Sequence, residues 1–345
     1  MEITTIGLDV AKRVFQAHGA DASGKGVLRR KLQRAEVLTF FAAMPPCLVG
    51  IEACSTAHHW AREITALGHQ VRLMPASYVK PYVKRGKTDA ADAEAICEAV
   101  TRPTMRFVPV KSADQQAVLM LHRTRDLLVR QRTMLVNALR GHMAEMGIIA
   151  PQGISRVADL VAALLGEDDT KLPRLARYAL RGLAAELEAL GDRVKEIEVA
   201  ILAWHKDNEA SRRLTTIPGI GPITASAIVA TVTDPSQFHS ARQFAAWIGL
   251  VPKQNSSGGK ERQGGISKQG DRYLRRLLVL GATAVIRHAR TKITAQTAWL
   301  RGVLDRRPVR LASVAQANKT ARIVWALLAR GETYRAPGLG QVAAA

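Results

Sequence analysis

The chain has 345 residues and carries 50 Lys+Arg against 29 Asp+Glu, a formal net charge of +21 at pH 7, with a pI near 10.6. A hydrophobic fraction of 47% and a mean hydropathy of −0.03 exclude a disordered basic tail, and the length allows two or three domains. The longest apolar run, Leu277 to Ile286, is flanked by Arg275, Arg276 and Arg287 and is about half of what a bilayer span needs.

The first residues contain no basic segment followed by an apolar one, so no secretory signal is expected. Cys47, Cys54 and Cys97 make no C-x-x-C pair, which excludes a disulfide framework and a cysteine zinc site. A reduced cytoplasm is the simplest compartment, and the largest polyanion there is nucleic acid. The charge is unevenly placed. Residues 1–110 carry 15 basic and 10 acidic side chains (net +5), residues 111–210 carry 14 and 14, and residues 211–345 carry 21 and 5 (net +16). Three units are therefore expected, 1–110, 111–210 and 211–345, with the polyanion held mainly by the last. Aromatics make up only 5% of the chain, which favours contact with backbone phosphates over stacking on unpaired bases.

Strands are expected at Ile3–Val10, Val14–Ala20 and Gly26–Leu32. A helix over Ala35–Ala43, ended by Pro45-Pro46, leads to a buried strand at Cys47–Glu52. A helix at Thr56–Leu67, a strand at Gln70–Met74 and a helix at Asp89–Thr101 complete the order βββαβαβα, a mixed α/β pattern. In the neutral middle, Leu183, Leu187, Leu190, Val194, Ile197, Ile201 and Trp204 are spaced 4-3-4-3-4-3, a heptad seam. Residues 114–146 form a second long helical stretch, with Leu121, Leu128 and Leu135 seven apart. A loop-rich stretch containing Gly166, Asp168, Asp169 and Pro173 is expected between them. The pair reads as a helical hairpin or coiled coil, either an intramolecular bundle or an oligomerisation arm. The last third is mainly helical. It begins with Ile217-Pro-Gly-Ile-Gly-Pro222 between two helices, a helix-hairpin-helix-like element, and continues through a Gly/Ser/Lys-rich loop from Val251 to Gly270. Helices at Asp271–Ala289, Ile293–Leu304 and Leu311–Arg330 follow.

Several residues could carry chemistry. Asp9 lies in the apolar run Ile6-Gly-Leu-Asp-Val10, and Glu52 ends Leu48-Val-Gly-Ile-Glu52; a carboxylate in such a strand is costly unless compensated. Asp89 and Asp92, three apart, share one face at a helix start. On their own they would simply complement the helix dipole. Together the four carboxylates could converge on Mg²⁺ (or Mn²⁺), which takes oxygen ligands and keeps phosphate oxygens in its shell. Lys84, Arg85 and Lys87 could hold flanking phosphates. The nine histidines show no metal spacing. Gly219 and Gly221 could let a DNA phosphate approach main-chain amides, or could form an ordinary tight turn. The stretch Gln254–Gly270 has five glycines, three serines and three basic residues, Lys260, Arg262 and Lys268. It can be a linker, a phosphate-gripping loop, or a loop presenting a serine nucleophile beside cations. Asp271 is placed to cap the helix after it.

Read in order, these pieces resemble the insertion-sequence 110 family of bacterial transposases, the DEDD transposases. The matching stretches are Ile6-Gly-Leu-Asp-Val-Ala-Lys12, Gly50-Ile-Glu-Ala-Cys54, Lys87-Thr-Asp-Ala-Ala-Asp-Ala93, Ile217-Pro-Gly-Ile-Gly-Pro222, Phe244-Ala-Ala-Trp-Ile-Gly-Leu-Val-Pro252, Ser257-Gly-Gly-Lys260, Gly265-Ile-Ser-Lys-Gln-Gly270 and Asn318-Lys-Thr-Ala-Arg-Ile-Val-Trp-Ala-Leu-Leu328. The resemblance implies an RNase-H-like N-terminal domain, similar to the RuvC junction resolvase, with metal held by Asp9, Glu52, Asp89 and Asp92. It also implies a C-terminal transposase domain whose serine links covalently to DNA, matched here by Ser257 with Ser256 as its neighbour. Further implications are a structured guide RNA, element-end and target DNA as substrates, and a bacterial, nucleoid-associated location. A homo-oligomer (dimer or tetramer) would bring metal site and serine together between subunits. Two other readings stand beside this one: a metal-dependent junction endonuclease in which water replaces serine, and a noncatalytic nucleic-acid-binding protein.

Overall fold

The computed structural model describes residues 2–84, 86, 88–150, 152–166, 172–291 and 295–335. The chain divides into two compact units, Met1–Gln116 and Ala117–Ala345.

In the first unit, β1 (Thr5–Asp9), β2 (Val14–Ala20) and β3 (Gly26–Gln33) are followed by α1 (Val37–Ala42), β4 (Leu48–Glu52), α2 (Ala57–Ala66), β5 (Gln70–Met74), the single turn α3 (Ala76–Val79) and α4 (Asp89–Val100). The sheet order is β3-β2-β1-β4-β5. The first three strands form an antiparallel meander, and β4 and β5 add in parallel to β1. This is the expected βββαβαβα order with one extra helical turn, a mixed sheet consistent with an RNase-H-like domain.

Period-two alternation gives the sheet two buried faces. Ile6, Leu8, Phe15, Val49, Ile51 and Leu73 pack with Phe41 of α1 and Trp60 of α2. Met74 gathers instead with Ile96, Ala99 and Val100 of α4. Phe15 and Trp60 meet edge-on with ring centres 5.0 Å apart, the arrangement aromatic quadrupoles favour.

The second set of elements is α5 (Ala113–Glu145), α6 (Ile154–Gly166), α7 (Arg174–Asp207), α8 (Glu209–Leu214), α9 (Pro222–Thr231), α10 (Ala241–Ile248), β6 (Pro252–Gln254), β7 (Gln263–Ile266), α11 (Arg272–Thr291), α12 (Ala295–Leu304) and α13 (Val309–Arg330). The heptad seam forms a real stripe. Leu187, Leu190, Val194 and Ile201 are buried along α7, and Leu180 and Leu187 pack with Val136, Leu139 and Met143 of α5. A second core gathers Ile217, Ile228, Phe244, Leu274, Leu278, Ala321 and Val324.

Two expectations need correction. The stretch between the long helices contains a helix, α6, because Val157 and Val161 lie on one face and enter the α5–α7 core. Asp168 and Asp169 lie outside the described residues. The Gly/Ser-rich stretch is not an open loop but a two-stranded antiparallel ribbon, β6–β7. The helix expected from Ile293 is described from Ala295, Ile293 itself lying outside the described residues. Among the described residues no helix is long and apolar enough to cross a membrane.

Candidate active site

Asp9 and Glu52 are the last residues of two adjacent parallel strands, one step beyond the paired Leu8 and Ile51. Parallel pairing therefore delivers both half-buried carboxylates to the same sheet end. What brings α4 over them is the absence of two side chains. A Cβ on Gly7 would lie 2.1 Å from the Ala93 carbonyl oxygen and 2.3 Å from the Cys97 amide nitrogen. A Cβ on Gly50 would lie 2.8 Å from the Val100 side chain. The helix thus rests directly on β1 and β4, with its N-terminal turn, bearing Asp89 and Asp92, toward the carboxylate end. Thr88 caps that turn by accepting from the Ala91 amide at 3.2 Å. Gly7 and Gly50 were not singled out by sequence reasoning. Their signal was glycine inside an apolar strand, where a side chain would normally be packed.

The electrostatics follow from this placement. Burial, with Asp92, Asp89 and Glu52 as like-charged neighbours, pushes the Asp9 carboxyl up to about 6. Glu52 is raised by burial and by Asp92. Among the described residues, no cationic side chain is among the groups that shift either one. Four oxygen-donor side chains, like-charged and with no ion-pair partner among the described residues, match the donor chemistry of a hard divalent cation. Among the described residues, no three His, Cys, Asp or Glu side chains are gathered as a ready-made metal shell. Nearby Lys84 is exposed and its Nζ bonds Glu94 Oε1 at 2.8 Å, a carboxylate also held by Arg29 at 3.2 Å. Arg85 and Lys87 lie outside the described residues.

In the second unit, the Gly-rich turn divides its labour. Gly219 (φ +85°) is pressed against α11, where a Cβ would meet the Gly281 carbonyl oxygen at 2.8 Å, so its left-handed backbone serves packing. Gly221 is exposed, has open space around it, and stands as the N-cap of α9.

The ribbon is built on a fixed base. Gly249 (φ +82°) ends α10, and a Cβ there would meet the Gln269 carbonyl oxygen at 2.1 Å; one on Gly270 (φ +76°) would meet the Trp247 carbonyl oxygen at 1.8 Å. Arg275 Nη1 donates to the Ile248 and Gln269 carbonyls, both at 2.7 Å, and Asn318 Nδ2 donates to the Leu250 carbonyl at 3.2 Å. Lys268 is the one non-glycine residue with positive φ among those described, at +55°. Its exposed side chain sits at this crossing, and its amide donates to the Gly249 carbonyl at 3.2 Å. Asp271 accepts from the Leu274 amide at 2.9 Å and caps α11 as expected.

At the other end, Ser257 and Lys260 exchange both main-chain bonds, at 3.4 and 3.1 Å, around Gly258 (φ +57°) and Gly259 (φ +75°). Two consecutive positive φ values make a primed turn, the hairpin connection that matches strand twist. The Asn255 amide donates to the Arg262 carbonyl at 2.9 Å, and Gln254 pairs with Gln263. In this register Ser257 is opposite Lys260, and Asn255, two residues back on the same face, is opposite Arg262. Ser256 falls on the other face, opposite Glu261. All of these side chains are exposed.

One further group went unread in the sequence. His122, 1% exposed on α5, joins Tyr273 Oη through Nδ1 and Ser226 Oγ through Nε2, each at 3.1 Å. Ser226 donates its proton to the Pro222 carbonyl at 2.7 Å, so it accepts from His122 Nε2–H, and Nδ1 accepts from Tyr273. Burial pushes His122 down to about 4. This neutral histidine ties α5 to the Gly-turn helix and to the start of α11, just past the ribbon. Such a tie depends on three-dimensional neighbours and leaves no spacing pattern.

Comparison with known proteins covers both units. Residues 6–148 match the DEDD transposase model of IS110 type, and residues 211–298 match the model described as "Transposase IS116/IS110/IS902 family". The chain is 51% identical, over 98% of its length and 100% of the relative's, to a protein of Pseudomonas aeruginosa described as "Probable family 20 transposase". It is 42% identical to the transposase for insertion sequence element IS1111A of Coxiella burnetii, covering 97% of this chain and 92% of that one. It is 41% identical to the transposase for IS1328 of Yersinia enterocolitica, covering 96% and 98%. Matches that run through both the carboxylate unit and the ribbon unit, at this identity and nearly full length, make the chain a member of the IS110/IS116 family of insertion-sequence transposases, enzymes that catalyse DNA strand transfer.

Proposed function

We propose that this transposase cuts and rejoins DNA through a covalent serine intermediate, with Ser257 as the nucleophile and Asp9, Glu52, Asp89 and Asp92 as the ligands of a divalent cation. The observation that carries the choice of serine is the ribbon register. The Ser257 face bears Lys260 and Arg262, whereas the Ser256 face bears Glu261, whose charge would repel a phosphodiester. Ser257 Oγ attacks phosphorus, losing its proton, and a phosphoserine ester forms as the bond to the departing sugar oxygen breaks. That oxygen takes up a proton. A hydroxyl of the strand to be joined then attacks the ester and releases Ser257. Lys260 and Arg262 neutralise the charge that builds on the phosphoryl oxygens in both steps. Lys268 and the amide end at Gly221 hold flanking backbone, with Lys84, Arg85 and Lys87 as further contacts beside the carboxylates. When bound, Mg²⁺ (or Mn²⁺) supplies Lewis-acid polarisation of the phosphate.

In this reading the chain has three functional parts: a RuvC-like domain over 1–110, a helical arm over 111–210, and a basic domain over 211–345 with a helix-hairpin-helix-like turn. The +16 charge of the last part suits it to element-end and target DNA and to a structured guide RNA. A dimer or tetramer lets the carboxylates of one copy meet the serine of another. Membership of a strand-transferring family sets aside a noncatalytic binder. The test is to incubate the protein with Mg²⁺, element-end DNA and the cognate RNA, then look for an adduct that survives denaturant. Loss of that adduct in Ser257→Ala but not in Ser256→Ala is the expected result. Efficient cutting with no adduct would overturn the serine mechanism and favour water as nucleophile.

A further inference from the structure

The turn between α12 and α13 plays no part in the site described above, yet its charge is strongly one-sided. From Ala298 to Arg322 there are six basic side chains, Arg301, Arg306, Arg307, Arg310, Lys319 and Arg322, against the single acid Asp305. Arg306, Arg307 and Arg310 are exposed. Among the described residues none of the three has a carboxylate partner. Arg306 Nε is fixed by donating to the Gly302 carbonyl at 2.8 Å, which leaves the rest of its guanidinium to face outward. A cleft of about 380 Å³ lies here, bounded among the described residues by Val303, Arg306 and Arg307. Pro308 starts α13, whose first turn holds no acidic residue, so the helix end adds partial positive charge on the same side.

We propose that this turn is a second anchoring site for duplex DNA, gripping backbone phosphates through Arg306, Arg307 and Arg310. Planar guanidinium forks with no carboxylate partner among the described residues match phosphate oxygens bidentately, and a duplex backbone offers such oxygens in series. The local aromatic argues for duplex over unpaired strand. Lys319 Nζ stands 4.5 Å above the Trp299 ring, so that face is occupied by a cation and not open to a stacking base. Backbone contact at this position would orient the duplex without reading its sequence.

The inference uses only the family's DNA substrate, so it is tested in protein carrying Ser257→Ala, where binding can be read whether or not that serine is the nucleophile. Binding of a short labelled duplex is measured by anisotropy across a salt series. Arg307→Gln with Arg310→Gln should lower the slope of log affinity against log salt by about 0.9 for each phosphate no longer neutralised, roughly 2 in all. Arg181→Gln with Arg193→Gln, an equal charge change on the exposed side of α7, should leave the slope as it was, and Arg307→Lys with Arg310→Lys should preserve it. Equal slopes for the two Gln pairs would overturn the proposal. So would a loss confined to a structured RNA hairpin, which would assign the turn to RNA instead.

Discussion

Replacing Gly7 with alanine tests the carboxylate site without touching a carboxylate. The new methyl would sit 2.1 Å from the Ala93 carbonyl oxygen and 2.3 Å from the Cys97 amide. Both are backbone atoms of α4, so no flexible side chain can yield and the helix itself must lift. Overpacking of this kind costs about 1–3 kcal/mol. The first unit ends at Gln116, and at about 2.1 cal/mol/K per residue its unfolding entropy makes that loss about 4–12 °C in its melting temperature. Lifting α4 also draws Asp89 and Asp92 away from Asp9 and Glu52. Strand transfer assayed well below the melting point should therefore fall by far more than the folded fraction does. Gly182→Ala is the control. It lies on α7 with nothing within 4 Å of the added carbon, and it should gain roughly 0.5–1 kcal/mol, as glycine-to-alanine changes in helix interiors do. Thermal melts and a strand-transfer assay on both variants suffice. A Gly7→Ala protein that melts with wild type and transfers strands normally would refute the close contact, and with it the account of how the carboxylates are assembled.

Other expectations follow from the second unit. His122 is held below its ordinary value, so the unfolded chain binds a proton that the folded one does not between pH 6.5 and about 4. Stability from this group is full above pH 6.5 and falls as the pH is lowered to about 4, by about 3 kcal/mol at roughly 1.4 per unit. His122→Asn should be less stable at pH 7 but should flatten that slope in denaturant melts; an unchanged slope would mean that another group sets it. Lys260→Gln should slow adduct formation by about 10²-fold, as losing one charge-stabilising donor does, while Glu261→Gln should not slow it; equal effects would contradict the two-faced ribbon. Arg275→Ala removes two charged hydrogen bonds at the ribbon base, so limited trypsin should cut within Lys253–Lys268 markedly faster than in wild type. Cleavage at the wild-type rate would show that the glycine crossing alone holds the base.

Much of the first unit was readable because its cues are local. Short apolar runs mark β1, β2 and β4, Pro45-Pro46 ends α1, and Asp89 with Asp92 marks the start of α4. The carboxylates stood out for a similar reason, since Asp9 and Glu52 interrupt apolar runs. The ribbon was missed because glycine and serine lower strand propensity, so composition pointed to a loop. The better cue was Gly258-Gly259 as a two-residue turn, with residues on either side able to pair. The grip of Arg275 and Asn318 on the ribbon base, and the His122 tie, join residues 27, 68 and 151 positions apart. Such contacts have no expression in spacing along the chain.

The ribbon also imposes a parity rule. Because successive side chains alternate between its faces, inserting or deleting one residue between Gln254 and Ser257 would exchange the surroundings of the two serines. Changes of two residues would lengthen or shorten the ribbon and keep each hydroxyl beside its own neighbours. Length variation in this segment among functional relatives should therefore come in even steps, and an odd step should be accompanied by a bulge that restores the count.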